Sequence, residues 1–190
     1  MNTALIVSSS IKATEYFKAF VQEHFLADIT LSANGNDARR LLDYRDFDIL
    51  IINTPLSDEF GTDLAVISAE KTSSGIVVAV KNELLEDISP QMEDSGIITI
   101  AKPIHRSFLY QSIKLAYATH TRVIGFQNTN QRLEQKIQEI KLVDRAKCLL
   151  IEHENMPEKD AHRWIEKKAM DERKSKKDIA MTIISYYELQ

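Results

Sequence analysis

Five short, β-branched-rich apolar runs constrain the first 120 residues more than any other feature. They are Ala4 to Val7, Ile29 to Leu31, Ile49 to Ile52, Ile76 to Val80 and Ile97 to Ile100. Runs this short, without polar alternation, read as strands buried on both faces, which is the pattern of a parallel sheet. Between them lie stretches with apolar residues at helical spacing: Tyr16, Phe17, Phe20 and Val21, then Ala38, Leu41 and Leu42, then Leu64 and Ile67, then Ile88 and Met92. Strands alternating with helices predict a doubly wound α/β domain built on a five-stranded parallel sheet over residues 1–119.

After His120 the strand signal stops. Val123, Phe126, Asn130, Leu133, Ile137, Ile140 and Asp144 follow one another at spacings of 3, 4, 3, 4, 3 and 4. This is a heptad seam, with Val123, Asn130 and Ile137 at a and Phe126, Leu133 and Ile140 at d. It predicts a coiled-coil linker over residues 120–143 through which two copies dimerise, with Asn130 holding a parallel pair in register. The competing reading is a single amphipathic helix packed on its own domain. Gly125 costs about 1 kcal/mol relative to Ala, so the helix is expected to weaken or bend there. Residues 144–190 read as further helices. Pro157 suits a first helical turn followed by Glu158 and Asp160, and Ser175 with Asp178 reads as a capping box before Ile179, Ile183 and Ile184. This segment buries little by itself and is expected to lean on the preceding helix.

The net charge of −4 argues against nucleic acid only if the chain is uniform, and it is not. Residues 1–119 carry 10 Lys and Arg against 16 Asp and Glu, a net of −6, whereas residues 120–190 carry 14 against 12, a net of +2. Residues 163–177 hold seven basic side chains against three acidic ones. Such a cluster is an electrostatic footprint for a polyanion, although ordinary solvated helix faces look similar. The single Cys148 supplies neither a disulfide nor a zinc cluster, and its apolar surroundings (Leu149, Leu150, Ile151) predict a buried, inert thiol. No apolar run is long enough to span a bilayer and no signal segment opens the chain, so a reducing cytoplasm is the expected location.

The α/β half resembles the receiver domain of bacterial two-component response regulators, which implies a flavodoxin-like fold. Receiver domains carry an acidic pair for Mg²⁺ after the first strand, and an acceptor Asp ends the third. A Pro and a Gly follow that Asp at four and eight residues, and Lys-Pro closes the fifth strand. Here Ser8 and Ser9 follow Ala4 to Val7, Asn53 follows Ile49 to Ile52, and Gly61 keeps its spacing while the proline is at Pro55. Val80 takes the fourth-strand Ser/Thr position, and Lys102-Pro103 matches. An amide is a poor nucleophile, and hydroxyls are weak ligands for a hard dication. Ser8, Ser9, Asn53, Val80 and Lys102 are therefore expected to form a degenerate phosphorylation site, with no acceptor, metal or cofactor. Asp58 is expected to be a loop or helix-start residue rather than a substitute acceptor. Lys102 is expected to survive as a structural contact to the Asn53 amide, and the resemblance implies a cis Lys102–Pro103 bond.

The tail from Lys136 to Ile184 resembles the ANTAR domain, the helical output module of transcription antitermination regulators. The resemblance rests on Asp144-Arg145-Ala146-Lys147, Met156, Ala161, Ala169-Met170-Asp171, Ser175 and Ile179-Ala180, with departures at Cys148 and Pro157. It implies a small three-helix domain that binds paired RNA hairpins competing with a terminator. Ala146, Ala161, Ala169 and Ala180 are expected at close-packing positions, with Trp164 in the core. Lys147, Arg163, Lys167, Arg173, Lys174, Lys176 and Lys177 are the expected RNA contacts. Tyr186 and Tyr187 are free to stack on bases, although one of them is expected in the core.

Together these resemblances imply a dimeric antitermination regulator, similar to amidase-operon antiterminators, whose pseudo-receiver answers to a protein partner instead of phosphorylation. The alternative is a dimeric signalling adaptor whose helical tail binds protein. An enzyme is not expected: no Gly-rich phosphate loop and no metal-spaced His pair is present, and His153 and His162 read as surface or partly buried residues.

Overall fold

The computed structural model describes residues 1–188, so the last two residues of the expected 144–190 segment lie outside the described residues. It forms two compact units, Met1–Phe126 and Gln127–Gln190.

The first unit is the expected α/β domain. Strands β1 (Thr3–Ser8), β2 (Asp28–Ser32), β3 (Ile49–Asn53), β4 (Gly75–Lys81) and β5 (Ile98–Lys102) pair in parallel in the order β2-β1-β3-β4-β5. Helices α1 (Ile11–Phe25), α2 (Gly35–Tyr44), α3 (Thr62–Lys71) and α4 (Leu85–Asp94) connect them, and α5 (Arg106–Glu154) follows β5. Successive strand residues point to opposite faces. Ala4, Ile6, Ile49, Ile51, Val77 and Ala79 therefore join Phe17, Phe20, Leu109 and Ile113 in one core. Leu5, Val7, Leu50, Ile52, Val78 and Val80 join Ala38, Leu64 and Met92 in the other. Burial on both faces explains why β1, β3 and β4 are apolar runs; the edge strands β2 and β5 are only partly covered, with Leu31 43% exposed, so two-faced burial does not hold for them.

Register brings the β-strand C-terminal ends to one edge. Ser8 stands beside Asn53, Asn53 beside Ala79 and Lys81 beside Lys102. Gly61, at the start of α3, has φ 106°, and a Cβ there would meet Ile52 Cγ2 at 3.1 Å. Both the backbone and the close approach call for glycine. Thr54–Pro55 and Lys102–Pro103 are cis.

Helix α5 runs without interruption through Gly125, and both expected segment boundaries, at 119/120 and 143/144, fall inside it. In the second unit its last turns pack with α6 (Glu158–Glu172) and α7 (Lys176–Glu188) around Val143, Leu149, Leu150, Ile165, Ile179 and Ile183. Ala146, Ala161, Ala169 and Ala180 are buried among them, where small side chains let the helices approach. Pro157 is the N-cap of α6 instead of its first helical residue, and its carbonyl accepts from Asp160 and Ala161. The capping box is formed as expected. Asp178 N donates to Ser175 Oγ at 3.1 Å, and Ser175 N donates to Asp178 Oδ2 at 3.2 Å. No helix among the described residues is long and apolar enough to cross a membrane.

Candidate functional site

The strand ends of the first unit gather Ser8, Ser9, Asn53 and Lys102 without a carboxylate taking the acceptor position. Asn53 is buried, and its amide donates to Ser8 Oγ at 2.9 Å. Ser8 Oγ also accepts from Ser10 N at 3.2 Å, while Ser9 Oγ donates to the Pro55 carbonyl at 3.0 Å. The polar groups at this edge thus satisfy one another, which is how buried polar atoms avoid the cost of lost hydration. Lys102 Nζ donates to the Thr54 carbonyl and not to the Asn53 amide, so the expected contact is off by one residue. Burial pushes the Lys102 ammonium below its usual range, and Lys81 adds to the shift. Val80 is buried in the core that faces α2, α3 and α4.

Asp58 has a structural task, as expected. Its carboxylate accepts from Gly35 N at 2.8 Å and Asn36 N at 3.0 Å, binding the otherwise unpaired N–H groups that open α2. These two backbone bonds hold its carboxyl below the usual range. Among the described residues no three His, Cys, Asp or Glu side chains gather where they could hold a metal ion.

On α5 the heptad residues face solvent. Phe126 is 65% exposed, Leu133 53%, Ile137 51% and Ile140 53%, with Val123 and Asn130 also exposed. Within each unit these large apolar side chains are left uncovered.

The basic residues of the second unit separate into two groups. Lys147 is only 16% exposed at its side chain and lies between Asp144 at 2.8 Å and Glu158 at 3.3 Å. The Asp144 bond leads in raising its pKa, and the two carboxylates together cover its ammonium group. Lys174 pairs with Glu172 at 2.9 Å and Lys176 pairs with Glu166. These carboxylates are held below their usual range by those ammonium groups. Arg163, Lys167, Arg173 and Lys177 are exposed and make no ion pair among the described residues. The α6 core positions Ala161, Ile165 and Ala169 put Arg163 and Lys167 on the opposite face, four residues apart. Lys159, one further turn back, and Met170, 78% exposed, continue that stripe. Lys159 was absent from the expected contacts, although its spacing to Arg163 is the same i, i+4 signal. Arg173 ends α6 with φ 53°, where Arg173 N and Lys174 N close onto the Met170 and Ala169 carbonyls. That turn carries the basic stripe over to the start of α7.

Two expectations about this unit are corrected. Cys148 is exposed. The inward positions of α5 are Val143, Ala146, Leu149 and Leu150, and Cys148 falls off that face despite its apolar neighbours. Trp164 is 38% exposed instead of core. It lines a cleft of about 350 Å³ with Leu150, Met156, Ile183, Tyr186 and Tyr187. Tyr187 is the tyrosine that packs on the core, as expected of one of the pair, and Tyr186 is exposed. The ring of His153 stacks on Tyr187 with centroids 4.7 Å apart, and the Tyr187 hydroxyl donates to Glu154 Oε1. That bond, with the carboxylate charge beside it, pushes the Tyr187 phenol up to about 12. His153 and His162 are both exposed.

Residues 131–184 match the ANTAR domain. The chain is 29% identical over 154 residues to the transcriptional regulatory protein PdtaR of Mycobacterium tuberculosis, covering 80% of this chain and 75% of that protein. Its fold matches the signal receiver domain of an HD domain-containing protein from Pseudomonas fluorescens (TM-score 0.59, 16% identity, 65% of this chain and 92% of that one). It also matches the chemotaxis response regulator CheY4 of Vibrio cholerae (TM-score 0.54, 16% identity, 61% and 98%). These two structures show the fold alone.

Proposed function

We propose that this chain, a receiver fold followed by an ANTAR domain, is an RNA-binding regulator of transcription antitermination. The observation that carries the reading is the ANTAR match over residues 131–184 on a segment whose α6–α7 face bears exposed cations with no ion pair among the described residues. Phosphates meet Arg163, Lys167, Arg173 and Lys177, with Lys174 and Lys176 available once RNA displaces their carboxylate partners. Single-stranded loops present unstacked bases to such a surface. Two tandem small-loop hairpins require two modules, and the Val123–Ile140 seam joins a second copy. Tethering raises the effective concentration of the second binding event, so a weak single domain suffices.

The receiver half works without phosphorylation. Phosphoryl transfer to a carboxylate needs that carboxylate and a metal to neutralise developing charge. Ser8, Ser9 and Asn53 offer neither, and Asp58 is committed to α2. Control then passes through a protein partner that sequesters or releases the chain. The chain is a regulator and not an enzyme.

Termination in vitro tests the reading. The wild-type chain is expected to raise readthrough of a leader in which tandem small-loop hairpins overlap a terminator. A variant with Arg163, Lys167, Arg173 and Lys177 changed to Gln is expected to lose that effect. Unchanged readthrough by this variant would favour the adaptor reading instead.

A further inference from the structure

The cleft beside Trp164 is not used by the phosphate contacts proposed above, and its electrostatics are the reverse of theirs. Its walls are apolar and aromatic, with Leu150 and Ile183 at the base and Trp164 and Tyr186 exposed at the mouth. Glu154 lies along its lining. One Glu154 oxygen accepts the Tyr187 hydroxyl, and the other has no hydrogen-bond donor among the described residues. Cations stand outside. Lys168 Nζ, paired with Glu172 at 3.1 Å, lies 5.8 Å from the centre of the Trp164 ring, and Arg163 and Lys167 flank Trp164 along α6.

We propose that this cleft is a base-binding subsite, which takes one unstacked nucleobase from the RNA loop between Trp164 and Tyr186. The inference rests on the RNA-binding reading and adds the place where a base is read. Every nucleobase has a π-face, and stacking on an aromatic side chain suits any of them. The exposed Glu154 carboxylate on the lining repels a phosphate but accepts an N–H from a base edge, while Arg163 and Lys167 attract the phosphates on either side. An acid on the lining with cations beyond it therefore fits a nucleotide inserted base first. A volume of about 350 Å³ lies at the small end of ligand-sized pockets. The stack of His153 on Tyr187 and the Tyr187–Glu154 bond hold one wall in place before the base arrives.

Trp164 is the single tryptophan of the chain, so the subsite carries its own fluorophore. The experiment uses the full chain and a synthetic RNA hairpin, selected for binding from a pool with a fixed stem and a randomised small loop. The hairpin is expected to quench Trp164 emission, and the same stem closed as a blunt duplex is not. An abasic substitution at one loop position is expected to remove the quench and weaken binding about ten- to a hundredfold, the range of a lost base–aromatic stack. Tyr186→Ala is expected to weaken binding similarly without altering the slope of log K against log salt. Glu154→Gln is expected to change which base is preferred at that position. Hairpin binding with a wild-type slope in Tyr186→Ala, unchanged affinity and no quench would overturn the subsite and leave the RNA reading standing. Equal binding of the blunt duplex would also overturn it. Failure to select any binding hairpin would overturn both.

Discussion

Truncation of the α5 seam is expected to weaken self-association by an amount that its exposure determines. Fully burying a leucine side chain stabilises by about 1.5–3 kcal/mol. Leu133 is 53% exposed in a single chain, so covering it in a symmetric pair recovers about 1 kcal/mol per copy and about 2 kcal/mol per dimer. Leu133→Ala should therefore raise the dimer Kd by about thirtyfold, at 1.4 kcal/mol per factor of ten. Ile140, equally exposed, contributes similarly, and the double variant Leu133→Ala/Ile140→Ala should shift Kd by several hundredfold. Gln135→Ala, on the opposite face of α5, serves as the control and should leave Kd unchanged. Sedimentation equilibrium on the full chain reads all three. A double variant that associates as tightly as the wild type would refute the seam as the dimer interface. Asn130→Ile offers a complementary check: an apolar a position should strengthen association while loosening the choice of oligomer.

Incubation with a small phosphodonor and Mg²⁺ should leave the intact mass unchanged. Asn53→Asp alone should not restore phosphorylation, because Ser8 and Ser9 still provide no anionic metal ligand; a phosphoryl adduct on either protein would contradict this. Asp58 has its pKa lowered on folding by the Gly35 and Asn36 amides, so its contribution is present above the ordinary Asp range and is lost as pH falls through the folded value. Thermal melts should accordingly show Asp58→Asn less stable than the wild type at neutral pH, with the gap closing below about pH 4. Ala161 is fully buried between helices, and Ala161→Leu should cost the second unit about 1–3 kcal/mol through overpacking, followed as an earlier unfolding transition in Trp164 fluorescence.

The sheet was legible because strands covered on both faces must be apolar throughout, and the runs at Ile49 and Ile76 could be little else. The small-residue positions Ala146, Ala161, Ala169 and Ala180 were legible because close packing tolerates few alternatives. What the order of residues hid was direction. Cys148 sits in an apolar run, yet a helix shows only one face of such a run to the core, and Ile151 with Cys148 falls outside it. Trp164 was misplaced for the same reason: hydrophobicity does not say whether a large ring fills a core or lines a cleft. Lys147 could not be separated from the other basic residues, because the carboxylate that covers it with Asp144 comes from Glu158 across the turn. The cleft is assembled from α5, α6 and α7 together and has no linear signature.

On the proposed reading, the exposed cations of α6 and the α6–α7 turn hold RNA. The most direct test of that reading is the affinity of the full chain for a tandem-hairpin leader RNA, measured over a range of salt concentrations. Each phosphate-bound cation contributes roughly one to the slope of log K against log salt. The wild type should lose affinity steeply as salt rises, and changing Arg163, Lys167, Arg173 and Lys177 to Gln should reduce the slope by about four per bound module. A slope unaltered by the four substitutions, or binding indifferent to salt, would contradict the account.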